Sequence, residues 1–353
     1  MRLHLGLWSV GMACLIGAIP AFAQSVSSGS AQQTTLTVGA GGQYQTISAA
    51  VAAADADTDL NNYYVIDVMP GTYTNDFPLV TRPMTIEAGS EIRPDGGSTS
   101  GPVVLQATEP LPNEKGIILT TASLTVTGLT FTGAYVDDSL GGNGAGIRDQ
   151  NTGPASLVIQ NSTFIGNETG VLTGDDADET ITVINSSFEN NGNPNGDGYE
   201  HGLYVNYAGS LTVSNSLFCG QLFGHDIKSR AAVTTVTNSQ IYVGAPDADV
   251  GCNAGQASYN IDVPNGGGAT ISGNQIIEGS GVQNHKMIAY GEEGLRYGNN
   301  SLLVIGNSFV SIDVSNAIAV YDPYCIIPQL SDNTFQGVST ILYPPTCGQM
   351  LHP

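Results

Sequence analysis

From residue 124 onward the chain repeats one hydrophobic pattern. Apolar and polar residues alternate through LTVTGLTF, LVIQNSTF, ITVINSSF, LTVSNSLF, TTVTNSQI, ATISGNQI, LLVIGNSF and IPQLSDNTF, which end at Phe131, Phe164, Phe188, Phe218, Ile241, Ile276, Phe309 and Phe335. Three places before each terminal residue stands Gly128, Asn161, Asn185, Asn215, Asn238, Gly273, Gly306 or Asp332. The alternation predicts a strand with one face inward. Gly, Asn and Asp tolerate the left-handed backbone needed to bend the chain into its next face. The Phe or Ile then fills the interior. The anchors are 33, 24, 30, 23, 35, 33 and 26 residues apart, so loops of unequal length leave an otherwise regular coil. One repeat cannot bury its own apolar face, and the repeats must stack as a solenoid. Stacked Asn161, Asn185, Asn215 and Asn238 are expected to form a hydrogen-bonded ladder.

A second strand follows each anchor, in GAGIRD, TGVLTG, HGLYVN, HDIKSR, YNIDVP, KMIAYG and NAIAVY. Aligning Ile147, Val171, Leu203, Ile227, Ile261, Ile288 and Ile318 as the inward column turns the next residues outward: Arg148, Leu172, Tyr204, Lys228, Asp262, Ala289 and Ala319. The beginning differs. TISAAVAAADA, residues 46–56, is Ala-rich and reads as a short helix capping the open first coil; YVIDVM, residues 64–69, reads as a strand. Residues 1–23 carry Arg2, an apolar run and Ala21-Phe22-Ala23, the marks of a secretory signal peptide. Residues 24–33 read as a flexible leader and 34–353 as a single domain. After signal cleavage no segment is apolar enough to span a membrane. A periplasmic or extracellular location follows. Cys219, Cys252, Cys325 and Cys347 then suit disulfides, with Cys219–Cys252 and Cys325–Cys347 the preferred pairs.

Composition narrows the field. Nine Lys and Arg stand against 31 Asp and Glu, a net charge of −22, which excludes a nucleic-acid binder. The 41% hydrophobic content excludes a disordered acidic chain. What remains is an all-β solenoid.

TVGAGGQYQTISAAVAAA followed by VIDVMPGTY resembles the opening of pectate-lyase-like right-handed parallel β-helix proteins, in which a strand and a capping helix precede the first coil. That superfamily acts mostly on polysaccharides, as lyases, hydrolases, esterases and epimerases. The resemblance implies the fold far more than the chemistry. The runs NGAGIR, ETGVLTG, GDGYEHGLY, GHDIKSRA, ASYNIDVPNGG and AYGEEG are similar to a bacterial family of right-handed parallel β-helix repeat proteins without a settled activity. Asp175-Asp176 imitates a hydrolase acid pair, but the Gly-His and Arg-Ile-Lys elements of that class do not follow it.

Basic residues are scarce, so their positions are informative. Lys228, Arg230, Lys286 and Arg296 fall together with His201, His225 and His285 between residues 201 and 296. His201 and His225 each lie two before an inward column residue and should stack one coil apart. Lys228 and Arg230 should share a face with Tyr204, Asn206 and Asp262, with Arg148 two coils back and Tyr259 and Lys286 at the border. These residue types suit proton abstraction beside a sugar carboxylate. A cation must neutralise the carboxylate, a base takes the proton and an acid protonates the leaving oxygen. His225 or Lys228 is the candidate base, Arg230 the carboxylate clamp, Tyr204 or His201 the acid. A basic neighbour should lower the proton affinity of Lys228. The plain alternative pairs Lys228 and Arg230 with Asp226, Asp262 or Asp197. No cofactor is required; Ca²⁺ is a candidate, on Asp175, Asp176 and Asp178 or on Asp197 and Glu200. The favoured partner is a polysaccharide and the favoured activity a uronate lyase or C5 epimerase. A glycoside hydrolase using Asp197 with Asp226 or Asp262, and a non-catalytic glycan-binding solenoid, stay open.

Overall fold

The computed structural model describes residues 32–346 apart from 90, 93–97, 194–198, 245–251, 253–254, 313 and 327. The expected signal peptide, almost all of the expected leader, Asp197 and Cys347 lie outside the described residues, and Gln33 already belongs to the first strand. Three parallel sheets run the length of the molecule. Sheet A has 11 strands, from Gln33–Val38 to Gln329–Ser331. Sheets B and C have 10 strands each; B runs from Gly71–Thr74 to Thr334–Gln336, and C from Leu79–Val80 to Thr340–Tyr343. The chain visits A, B and C in turn, and each strand pairs with its counterpart one coil away. This is the right-handed parallel β-helix expected from the repeat.

The turn residues explain the coil. Gly128, Asn161, Asn185, Asn215, Asn238, Gly273, Gly306 and Asp332, all between sheets A and B, have φ between 50° and 74°. Three residues on, the anchors fill the interior of sheet B. Phe131, Phe164, Phe188 and Phe218 stack ring upon ring with centroids 4.8, 4.8 and 4.6 Å apart. The expected asparagine ladder sits elsewhere. Of the four asparagines expected in it, Asn185 donates to Asn161 at 3.5 Å on the exposed side. The continuous ladder belongs to the next residue, which turns inward beneath the bend. The N–H groups of Ser162, Ser186 and Ser216 donate to the hydroxyls of Ser186, Ser216 and Ser239 at 3.1–3.2 Å. The series continues through Asn274, Asn307 and Asn333, each accepting at 2.9 Å. A left-handed residue throws its side chain outward, and its successor faces the buried N–H groups that need partners.

The predicted cap is present. The helix Ile47–Asp55 starts from Thr46, whose hydroxyl accepts the Ala49 N–H, and it buries Ile47, Ala50, Val51 and Ala54 over the first coil. Asp76 accepts the N–H of Ile47 and Ser48, binding two unpaired donors of its first turn. The Cys219–Cys252 disulfide forms, with Cα atoms 5.9 Å apart. One alignment shifts: Val320, not Ile318, pairs with Ile288, so Tyr321 faces outward beside Ala289 while Ala319 is buried.

Candidate functional site

The outward column of sheet C changes residue at every rung. Pairing places Arg148, Leu172, Tyr204, Lys228, Asp262, Ala289 and Tyr321 in line. A kink in these strands enriches the column. Strict alternation would put His225 inside with Ile227. Ile227 does pack in the core, but His225 Nε2 lies 3.4 Å from Asp262 Oδ2, the atom that Lys228 Nζ also approaches at 3.4 Å. Asp226 is the additional buried residue that breaks the alternation. Earlier rungs carry Gly146, Gly170 and Gly202 there. A Cβ on Gly170 would meet the Gly202 carbonyl oxygen at 2.4 Å and the Phe188 ring at 2.7 Å.

The predicted stack is real. His201 and His225 lie with ring centroids 4.8 Å apart, and Tyr259 continues the stack at 4.7 Å. The His225 N–H donates to His201 Nδ1 at 3.0 Å, which leaves the proton of a neutral His201 on Nε2. Tyr204 meets His201 edge-on at 5.0 Å and accepts from Arg230 Nε at 3.0 Å. Burial, reinforced by nearby cations, holds both histidines well below the usual imidazole range.

Lys228 and Arg230 stand together, as the spacing predicted. Lys228 pairs with Asp262 and, at 3.2 Å, with Glu293. Arg230 grips Glu293 with two nitrogens, at 2.6 and 3.0 Å, and donates to Asn265. The proton affinity of Lys228 moves opposite to expectation. Burial works against the ammonium, but Asp262 and Glu293 outweigh it and raise its pKa. Burial pushes the Asp262 carboxyl up to about 8 against the pull of Lys228. For Glu293 burial is outweighed by Arg230 and Lys228, and its pKa is lowered.

The remaining candidates spread outward. Arg148 lies three rungs from Lys228 in the same column; its Nε and Nη1 are buried without a hydrogen-bond partner among the described residues, and burial lowers its pKa. Tyr259 donates to Glu292 at 2.7 Å, and burial raises its pKa. Lys286 sits over Tyr321, 4.4 Å from the ring centroid, away from Lys228. Asn206 is at the strand exit, its N–H on Thr173 Oγ1 at 3.0 Å, while Arg230 turns to Tyr204, Asn265 and Glu293.

Glu293 and its loop are the residues that sequence reasoning missed. After Tyr290 the chain folds back over the preceding coil. Gly291, Glu293 and Arg296 donate their N–H groups to the carbonyls of Val263, Pro264 and Asn265 at 2.9–3.0 Å. Tyr297 donates its hydroxyl to the Arg230 carbonyl at 2.5 Å, and the Arg296 guanidinium lies 3.7 Å from the Tyr207 ring centroid. The only signal for this loop was AYGEEG, two acids between glycines with no place in the repeat.

Among the described residues no group of three His, Cys, Asp or Glu is arranged to hold a metal ion, and no helix is long and apolar enough to cross a membrane. No family model and no curated protein matches the sequence. Solved structures do resemble the fold. The pectin methylesterase from Aspergillus niger superposes over 88% of this chain and 87% of its own at 13% identity, with a TM-score of 0.45. Pectate lyase Pel9A matches over 83% of this chain and 71% of its own at 13% identity, also with a TM-score of 0.45. The PL6 family alginate lyase AlyGC covers 90% of this chain and 38% of its own at 14% identity, with a TM-score of 0.38. The three parallel sheets themselves make the architecture a parallel β-helix, and the chemistry has to be argued from the side chains on sheet C.

Proposed function

We propose that this chain is an exported, polysaccharide-active β-helix protein that acts on uronate-containing glycan at the outer face of sheet C. The reaction is proton abstraction next to the sugar carboxylate, leading to elimination or to C5 epimerisation. The observation that carries this reading is a convergence: in a chain with few bases, Lys228, Arg230, His201, His225 and Tyr204 share one strip. Arg230 offers the planar fork that matches a carboxylate, and Lys228, kept charged, adds a second cation. Together they would stabilise the enolate-like intermediate. His225 is neutral near pH 7 and its buried Nδ1 has no hydrogen-bond partner among the described residues, which fits the base better than Lys228 does. Tyr204, whose hydroxyl oxygen accepts from Arg230, or His201 through Nε2–H, supplies the acid. In elimination that proton goes to the leaving oxygen. In epimerisation a proton returns to the same carbon from the other side.

A non-catalytic glycan-binding role is the second reading. It is favoured by the burial of His201, only 2% exposed, and by the carboxylates that already neutralise Lys228 and Arg230. The hydrolase reading loses support, because Asp226 and Asp262 are both buried. The test is incubation of the mature protein with a panel of uronate polymers. New ultraviolet absorbance indicates elimination; deuterium entering the sugar without cleavage indicates epimerisation. New reducing ends without absorbance would overturn the proposal in favour of hydrolysis. Retention on a glycan column without turnover would leave the binding module.

A further inference from the structure

The strip already holds a carboxylate in the seat assigned above to substrate. Arg230 meets Glu293 through two nitrogens, at 2.6 and 3.0 Å, and Lys228 adds a third contact at 3.2 Å. This is the fork geometry by which arginine recognises a free carboxylate. The two carboxylates of the cluster differ. The Asp262 side chain is 0% exposed and locked beneath Lys228, whereas that of Glu293 is 41% exposed. The backbone carrying Glu293 is pinned on Val263, Pro264 and Asn265, so the movable part is the side chain and not the loop. A carboxylate tethered at this distance competes at high effective concentration, and a monovalent ligand must displace it alone.

Resting on the reading of the strip as a uronate site, we propose that Glu293 is a built-in stand-in for the substrate carboxylate, and that it sets a threshold which a polymeric uronate with a second contact passes and a monomer does not. A longer ligand has a second handle. Arg148 lies three rungs away, about 14 Å at the usual strand spacing; it is half-buried, and its enclosed Nε and Nη1 have no hydrogen-bond partner among the described residues. A chain spanning that distance adds a contact at Arg148 while it evicts Glu293; a single sugar cannot.

The test is calorimetric binding of galacturonate and mannuronate, as monomers and as hexamers, to the wild-type protein, Glu293→Gln and Arg148→Ala. Glu293→Gln should bind monomer and hexamer each at least tenfold more tightly than wild type, because both must evict the same carboxylate. Arg148→Ala should lose most of the hexamer's advantage. If Glu293→Gln proves poorly folded, Glu293→Asp, too short to bridge both cations, should show the same gain. Hexamer binding by wild type without any monomer gain in these variants would overturn the role of Glu293 and leave the site reading standing. An undiminished hexamer advantage in Arg148→Ala would overturn the length selection. Failure of every variant to bind uronate of either length would overturn the site reading, and this inference with it.

Discussion

Two faces of the same coil are built by the same stacking and differ in what they stack. At the bend between sheets A and B each rung repeats its neighbour: phenylalanine on phenylalanine and serine on serine. On the outside of sheet C each rung replaces its neighbour: arginine, leucine, tyrosine, lysine, aspartate. Repetition satisfies buried groups at every level at once, since each N–H finds the next hydroxyl and each ring the next ring. Replacement leaves charges that must be settled one by one, as Lys228 is by Asp262 and Glu293. The difference separates the part of the chain that makes the coil from the part available for chemistry.

The comparison can be broken most sharply in the core. Phe188→Ala, in the middle of the aromatic stack, should cost about 3–5 kcal/mol of stability, read by denaturant unfolding. A smaller cost would mean that the stack is not the main support. Arg230→Ala should instead cost function: at least about 100-fold in turnover of whichever uronate polymer is processed, roughly 2.7 kcal/mol, with a far smaller loss of stability. A large drop in melting temperature with unchanged specific activity would make Arg230 a structural residue.

Acidity sharpens the contrast next. Burial pushes Glu179 up to about 9 and Glu278 up to about 8. Between about pH 4.5 and those values the folded state keeps protons that the unfolded chain has released. Stability should therefore fall as pH rises through that window, by up to about 1.4 kcal/mol per pH unit for each group. Melting temperatures at pH 5 and pH 8 measure it, and Glu278→Gln should reduce the slope. A rise in melting temperature toward pH 8 would contradict the burial assigned to these carboxyls. The smallest effect belongs to Ser216→Ala, which removes one ladder hydroxyl and leaves the Ser186 N–H unpaired. About 1–3 kcal/mol should be lost, without effect on turnover.

The repeating face was legible because repetition is itself a signal. Eight anchors announced eight bends, and all eight bends have positive φ. The helix after Thr46 and the Cys219–Cys252 bond followed from a cap pattern and a spacing. The serine ladder was hidden one position away, because alternation says which residues face in but not which way a left-handed residue throws its side chain. At the site, register arithmetic found the stacked histidines and the Lys228–Arg230 pair. It missed the kink at Asp226 and the return of Glu293, which depend on loop path rather than period. It also misjudged the proton affinity of Lys228, since the deciding charges arrive from residues 34 and 65 positions away, at Asp262 and Glu293.

The unequal loop lengths carry a last consequence. Contacts here run almost wholly between adjacent coils, so the molecule behaves as a stack of tiles more than as one folded block. A tile duplicated or deleted outside residues 143–297 would lengthen or shorten the rod while the chemistry-bearing tiles kept their mutual spacing. Such edits offer a route to re-dimension the protein without redesigning it.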